Sequence, residues 1–114
     1  PLQAYRLEHC RFSPSPVSQT PNTFDYPGTT PGISSDEGKN AIVWALETGG
    51  YQSGGPAVLY AYDATNLAHE LYSSAKDGSS QHGGPAVKFT TPTIAHGRVY
   101  FGTENSLDVY GLLQ

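Results

Sequence analysis

Two short words recur along this chain in a fixed order, and a fold that ignores them cannot be right. Leu-x-small-Tyr occurs as Leu2-Gln3-Ala4-Tyr5, Leu59-Tyr60-Ala61-Tyr62 and Leu107-Asp108-Val109-Tyr110, and Thr-Pro-x-Ile as Thr30-Pro31-Gly32-Ile33 and Thr91-Pro92-Thr93-Ile94. Ile42-Val43-Trp44-Ala45 aligns with Arg98-Val99-Tyr100-Phe101. Between the first two segments of each unit stand Asp36-Glu37-Gly38-Lys39-Asn40 or Ala95-His96-Gly97-Arg98, with Gly where a tight turn needs positive φ. Each unit therefore reads as a Thr-Pro-x-Ile strand, a turn, an aromatic strand, a loop and a Leu-x-small-Tyr strand. The pentapeptide Gly-Gly-Pro-Ala-Val occurs in a different phase, at residues 54–58 and 83–87. It reads as one loop chemistry used twice, entering a third strand once and a first strand once.

The 13 Gly, 9 Pro and 8 Tyr suit short strands joined by many turns. Residues 64–72 offer a helical alternative, with Leu67 and Leu71 four apart. The stretch is short, however, and a turn at Thr65-Asn66 followed by an outer strand over 70–73 is preferred. The expected class is all-β, a segment of a β-propeller built from four-stranded antiparallel blades. At 114 residues the chain is shorter than a whole propeller. Residues 1–28 are expected to hold the outer strands of a preceding blade plus a Pro-rich connector over the surface. Residues 29–78 form one complete blade, and 79–114 form the first three strands of a final one. Pro1 and the lack of Met suggest a processed end or a boundary within a larger protein.

With these residues in view, the chain resembles the repeats of pyrroloquinoline-quinone-like, quinoprotein-type β-propellers, and their carboxy-terminal blades in particular. The stretch Leu59-Tyr60-Ala61-Tyr62-Asp63-Ala64-Thr65-Asn66-Leu67-Ala68-His69-Glu70-Leu71-Tyr72 is similar to the family's blade signature, Ala-x-Asp-x-x-Thr-Gly followed by a docking Trp. Asp63 matches. Asn66-Leu67 replaces Thr-Gly, and Tyr72 replaces the Trp. The resemblance implies fold more strongly than activity. Relatives that oxidise alcohols or sugars use a quinone, a calcium ion, a catalytic Asp and often a vicinal disulfide. One cysteine rules out that pair within this chain, and no acid cluster matches a cofactor site. Other relatives look like extracellular or periplasmic binding and scaffold proteins, which sets the expected location.

Formal charge is −4, with six dispersed Lys and Arg, so no basic patch points to nucleic acid or a membrane surface. The longest apolar run, 41–46, is far too short to span a bilayer, and a soluble chain is expected. Cys10 reads as a small apolar residue on a strand. His9, His69, His82 and His96 lack the close spacing of a zinc motif. Asp36-Glu37-Gly38 is a turn rather than a calcium loop, because two adjacent acids supply too few oxygens. The sequence over 32–39 fails as a phosphate loop, since Asn40 stands where Ser or Thr is needed. Ser34, His69 and Asp63 can be drawn as a triad, but no nucleophile elbow exposes the serine. No catalytic, cofactor-binding or metal-binding residue is assigned, and no cofactor is expected. Most aromatics, including Trp44, Tyr60, Tyr62, Tyr72, Tyr100 and Tyr110, read as core between blades. Tyr51, in a Gly-rich loop, is the one free to touch a ligand. N-glycosylation sequons are absent.

The function expected from these residues is a non-enzymatic propeller segment serving as scaffold or recognition module. Two alternatives are a terminal segment of a quinone-dependent oxidoreductase whose catalytic residues lie elsewhere, and a carbohydrate-binding propeller fragment using Tyr51 and Trp44. Expected partners are copies of the chain itself or further blades of a larger propeller, with a glycan or protein ligand of unknown identity. The apolar run 107–113 is expected to need a cover.

Overall fold

In the computed structural model, whose described residues are 1–77 and 83–111, every paired strand among those residues is antiparallel and their only helix is a single 3-10 turn. The all-β expectation holds at this level, as several small sheets. No helix among the described residues is long and apolar enough to cross a membrane.

The chain opens with strands β1 (Gln3–Ala4), β2 (Leu7–Glu8), β3 (Arg11–Phe12) and β4 (Ser18–Gln19). β1 pairs with β4 and β2 with β3. Backbone bonds from Ser13 N–H to the Arg6 carbonyl (2.8 Å) and from Val17 N–H to the Ala4 carbonyl (2.8 Å) join both pairs into one bent hairpin arm. The bend falls at Pro14 and Pro16, which have no N–H to offer a ladder. Within residues 1–14, β2 and β3 pair with each other, while β1 takes its partner β4 from beyond the bend. The chain runs out and turns back, and the return continues into the Pro-rich stretch. At the tip, His9 (φ 50°) and Cys10 (φ 61°) form a two-residue turn. Cys10 is exposed there, in the turn rather than on a strand, a correction to its reading as a small apolar strand residue.

A four-stranded sheet follows, made of β5 (Gly32–Asp36), β6 (Lys39–Glu47), β7 (Val58–Asp63) and β8 (Asn66–Ser73) in that spatial order. β8 begins at the expected turn and is longer than the expected 70–73. At that turn the Asp63 carboxylate accepts both the N–H (2.8 Å) and the hydroxyl (2.6 Å) of Thr65. A second sheet holds β9 (Thr93–Ala95), β10 (Arg98–Gly102) and β11 (Leu107–Gly111), with β10 in the middle.

The two sheets share one register. Gly32 faces Trp44, Ile33 faces Val43, Val43 faces Tyr62 and Trp44 faces Ala61. In the second sheet Thr93 faces Tyr100, Ile94 faces Val99, Val99 faces Tyr110 and Tyr100 faces Val109. The words found in the sequence thus occupy equivalent ladder positions. Both first hairpins turn on a pair of positive-φ residues, Glu37-Gly38 (47° and 81°) and His96-Gly97 (50° and 71°), the mirror-image turn whose twist matches that of the strands.

Alternation along β6 and β7 gives the four-stranded sheet two apolar faces. On one face Leu46 and Leu59 join Val99 and Phe101 of the second sheet, with Ala57 and Ala86, in a buried cluster rimmed by Trp44, Tyr72, Ile94 and Tyr110. On the other, Val43, Ala45, Tyr62 and Leu67 pack against Leu2 and Ala4 of the arm and against Phe24. The four-stranded sheet is therefore the middle layer. The expected surface connector is drawn into this packing: Thr20 is buried, and the Tyr62 hydroxyl donates to Asn22 Oδ1 at 2.5 Å.

The two Gly-Gly-Pro-Ala-Val copies pair with each other. Pro56 and Pro85 form an antiparallel bridge. The Ala57 N–H donates to the Gly84 carbonyl (3.0 Å), and the Ala86 N–H donates to the Gly55 carbonyl (2.8 Å). Each word thus offers its alanine N–H and its second glycine carbonyl to the other, and both alanines lie in the buried cluster. The first copy leads into β7. The second ends short of β9, separated from it by a turn at Lys88-Phe89, so it does not enter a first strand directly.

Candidate functional site

Three loops meet where β6 ends. Glu47 organises them: its carboxylate accepts the N–H of Gly49 (2.6 Å) and the N–H of Asp25 (3.0 Å), tying the connector to the Gly-rich loop. A Cβ at Gly49 would stand 2.7 Å from the Asp25 Cβ, so a glycine is what permits this approach. A 3-10 turn, Gly49–Gln52, then lifts Tyr51. The Tyr26 and Tyr51 rings lie 6.5 Å apart, tilted by 57°. From the third loop Lys88 places its ammonium 4.4 Å from the Tyr51 ring centre and 5.7 Å from that of Tyr26. The Gln52 amide donates to the Tyr51 hydroxyl at 2.7 Å. Tyr26 remains 67% exposed, and Phe89, beside Lys88 in sequence, is 75% exposed.

This arrangement offers exposed ring faces, a cation already seated on one of them and the Asp25 carboxylate alongside. It is equipped for recognition by stacking and hydrogen bonding, and a Lys–aromatic contact of this exposed kind contributes about 0.5–1 kcal/mol. Tyr51 was the aromatic expected to be free. It is half-buried, with Lys88 over its ring, and Tyr26 is the more available partner. Tyr26, Lys88 and Phe89 carry no sequence signal of their own, because their meeting depends on how three loops far apart in sequence converge. Trp44, the second residue of the carbohydrate reading, is engaged between the sheets and donates its ring N–H to Ser34 Oγ at 2.9 Å.

The other candidates disperse. His9 and His96 sit at hairpin tips, and His82 lies outside the described residues. His69 Nδ1 is 3.7 Å from Asp63 Oδ2. That carboxyl is held below its ordinary range, first by the Thr65 hydroxyl, then by the Thr65 N–H and His69. Ser34, the third member of the drawn triad, lies on β5 at the opposite edge of the sheet from His69 on β8, roughly 14 Å away at three strand spacings. Its hydroxyl accepts from Trp44, so no relay connects them. Asp36-Glu37-Gly38 is an exposed hairpin turn. Among the described residues, no group of three or more His, Cys, Asp or Glu side chains converges to hold a metal ion. The arm encloses an open hollow lined by Arg6, Glu8, His9, Arg11 and Phe12, with Arg6 and Glu8 3.7 Å apart.

No family model, curated protein or solved structure matches this chain.

Proposed function

We propose that the chain is a non-enzymatic segment of a quinoprotein-type β-propeller, serving outside the cell or in the periplasm as scaffold and recognition module. The supporting observation is the shared register of the two sheets together with their face-to-face packing. First strands approach most closely: a Cβ on Gly32 of β5 would stand 2.7 Å from Ile94 Cδ1 of β9. Successive blades around an axis pack in this way, with their first strands innermost. A dye-linked assay of the 114-residue chain with alcohols and sugars, with and without added quinone and calcium, tests the reading. No turnover above the blank is expected, and turnover overturns it.

The exposed Tyr26 ring beside Tyr51 favours carbohydrate as the ligand class within that role, because flat amphipathic rings present apolar area with a polar edge. Titration with a broad glycan panel should shift tyrosine resonances of this pair. A flat response across the panel removes this second reading and leaves the scaffold reading in place.

A further inference from the structure

The second sheet has an apolar face that, among the described residues, is left without a packed layer over it. Tyr100, Leu107 and Val109 lie on it, on the opposite side from Val99, Phe101 and Tyr110, and Leu107 is 66% and Val109 48% exposed. The shared register identifies the equivalents in the central sheet as Trp44, Leu59 and Ala61, and there the second sheet covers them with Ile94, Val99, Phe101 and Tyr110. The equivalents of those covering residues are Ile33, Val43, Ala45 and Tyr62, all on the far face of the central sheet. The arm shields Val43, Ala45 and Tyr62, but Ile33 is left 66% exposed. One outer surface of the stack thus carries one half of the contact between sheets, and the opposite side carries part of the other half.

We propose that the outer face of the second sheet, around Val109, docks on the Ile33 side of the central sheet in a second copy of this chain, next to that copy's arm. The inference rests on reading the two sheets as stacked blades. A second copy is the occupant because one half of the contact and the exposed Ile33 part of the other belong to this chain yet face away from each other, so one molecule cannot join them. Repetition of an internal contact between molecules is heterologous, with different patches meeting. Among the described residues β11 is an edge strand whose sheet neighbour is β10. The equivalence has one departure. Thr93 stands where Gly32 makes room for Ile94, while Gly102 stands where Leu46 is and has open space above it, so the docked sheet seats toward Gly102.

Sedimentation velocity on the 114-residue chain at micromolar concentration tests this with two substitutions at exposed positions, Val109→Glu and Ile33→Glu. The unsubstituted chain should associate. Each variant alone should associate at least roughly tenfold more weakly, because the new carboxylate is desolvated without a partner. An equimolar mixture of the variants should form a species of two copies and stop there, each supplying the intact half that the other lacks. A monomeric unsubstituted chain, variants that associate like it, or a mixture that stays monomeric would each overturn the docking. Hydrogen exchange on the same samples separates this failure from the other. Protected β6 and β10 amides in a monomer leave the stacked sheets standing, whereas their rapid exchange removes the blade reading as well.

Discussion

The two faces of the central sheet are covered by different means. Toward the second sheet the cover is continuous and apolar: Leu46, Leu59, Val99 and Phe101 are all nearly inaccessible, and burial of such side chains stabilises by roughly 1.5–3 kcal/mol each. Toward the arm, strands of two residues each cannot present a comparable apolar area, and polar ties take a larger share. The Leu67 N–H donates to Ser18 Oγ (3.2 Å) and the Tyr62 hydroxyl to Asn22, while the Leu2 N–H donates to Thr20 Oγ1 (3.0 Å) within the arm and holds its two sides together. A sheet partner can be held by burial alone, whereas a partner this short must be placed by directed bonds.

The sharpest way to break this contrast is to remove the largest fully buried side chain of the apolar face. Phe101→Ala should cost about 3–5 kcal/mol, whereas Leu2→Ala on the arm, half-buried, should cost about 1 kcal/mol. Urea unfolding of both variants measures the gap, and equal losses would show that the faces do not differ in kind. Next in size is Gly83→Ala. The added Cβ would stand 2.5 Å from the Ala57 carbonyl oxygen, where backbone has to move, so a loss of about 1–3 kcal/mol is expected, with faster exchange of the Ala57 and Ala86 amides.

The polar side of the contrast is probed by Tyr62→Phe, which should cost about 1 kcal/mol by leaving Asn22 Oδ1 without its donor; a double-mutant cycle with Asn22→Ala should show the two positions coupled. Alkaline titration tests the same burial without mutation. The Tyr62 phenol is pushed well above its ordinary value by burial, opposed by its bond to Asn22. Tyr72, by partial burial and its hydrogen bond to Asp77, and Tyr110, by partial burial, are raised as well. For a raised folded pKa, the stabilisation is present below the unfolded value near 10 and is lost as pH climbs above it. Absorbance at alkaline pH should therefore show three of the eight tyrosines ionising late and together with unfolding. The smallest effect is expected at the arm's tip. Cys10 holds φ 61° in the turn position where the other hairpins carry Gly38 and Gly97, so Cys10→Gly should raise the melting temperature through a gain of about 1 kcal/mol.

The repeated strands were legible because a ladder imposes a period of two and a fixed partner. Ile33 stands four residues before its turn at Glu37 and Ile94 two before its turn at His96, an even difference, and each faces the valine of its second strand, Val43 or Val99. The arm was not legible, since Leu2 to Tyr5 carries the word of a third strand yet pairs with a segment broken by prolines. Cys10 misled for a related reason. Alternation around it reads as strand, and only the backbone shows that a non-glycine residue adopts a left-handed turn. The meeting of Tyr26, Tyr51 and Lys88 had no local signature, because it follows from the bonds of Glu47 and a close approach at Gly49.

The reciprocal pairing of the two Gly-Gly-Pro-Ala-Val words has a consequence for how the chain regains its structure. Two identical partners make a lock in which either half fits its twin on any molecule, so the bridge at Pro56 and Pro85 carries no record of which chain each half came from. Within one molecule the short tether between the words keeps them at an effective concentration on the order of millimolar. At protein concentrations approaching that figure, a word in one unfolded chain meets its counterpart in another as often as its own, and the second sheet is carried across with it. Dilution during refolding is then the condition that keeps each second sheet on the chain that encodes it.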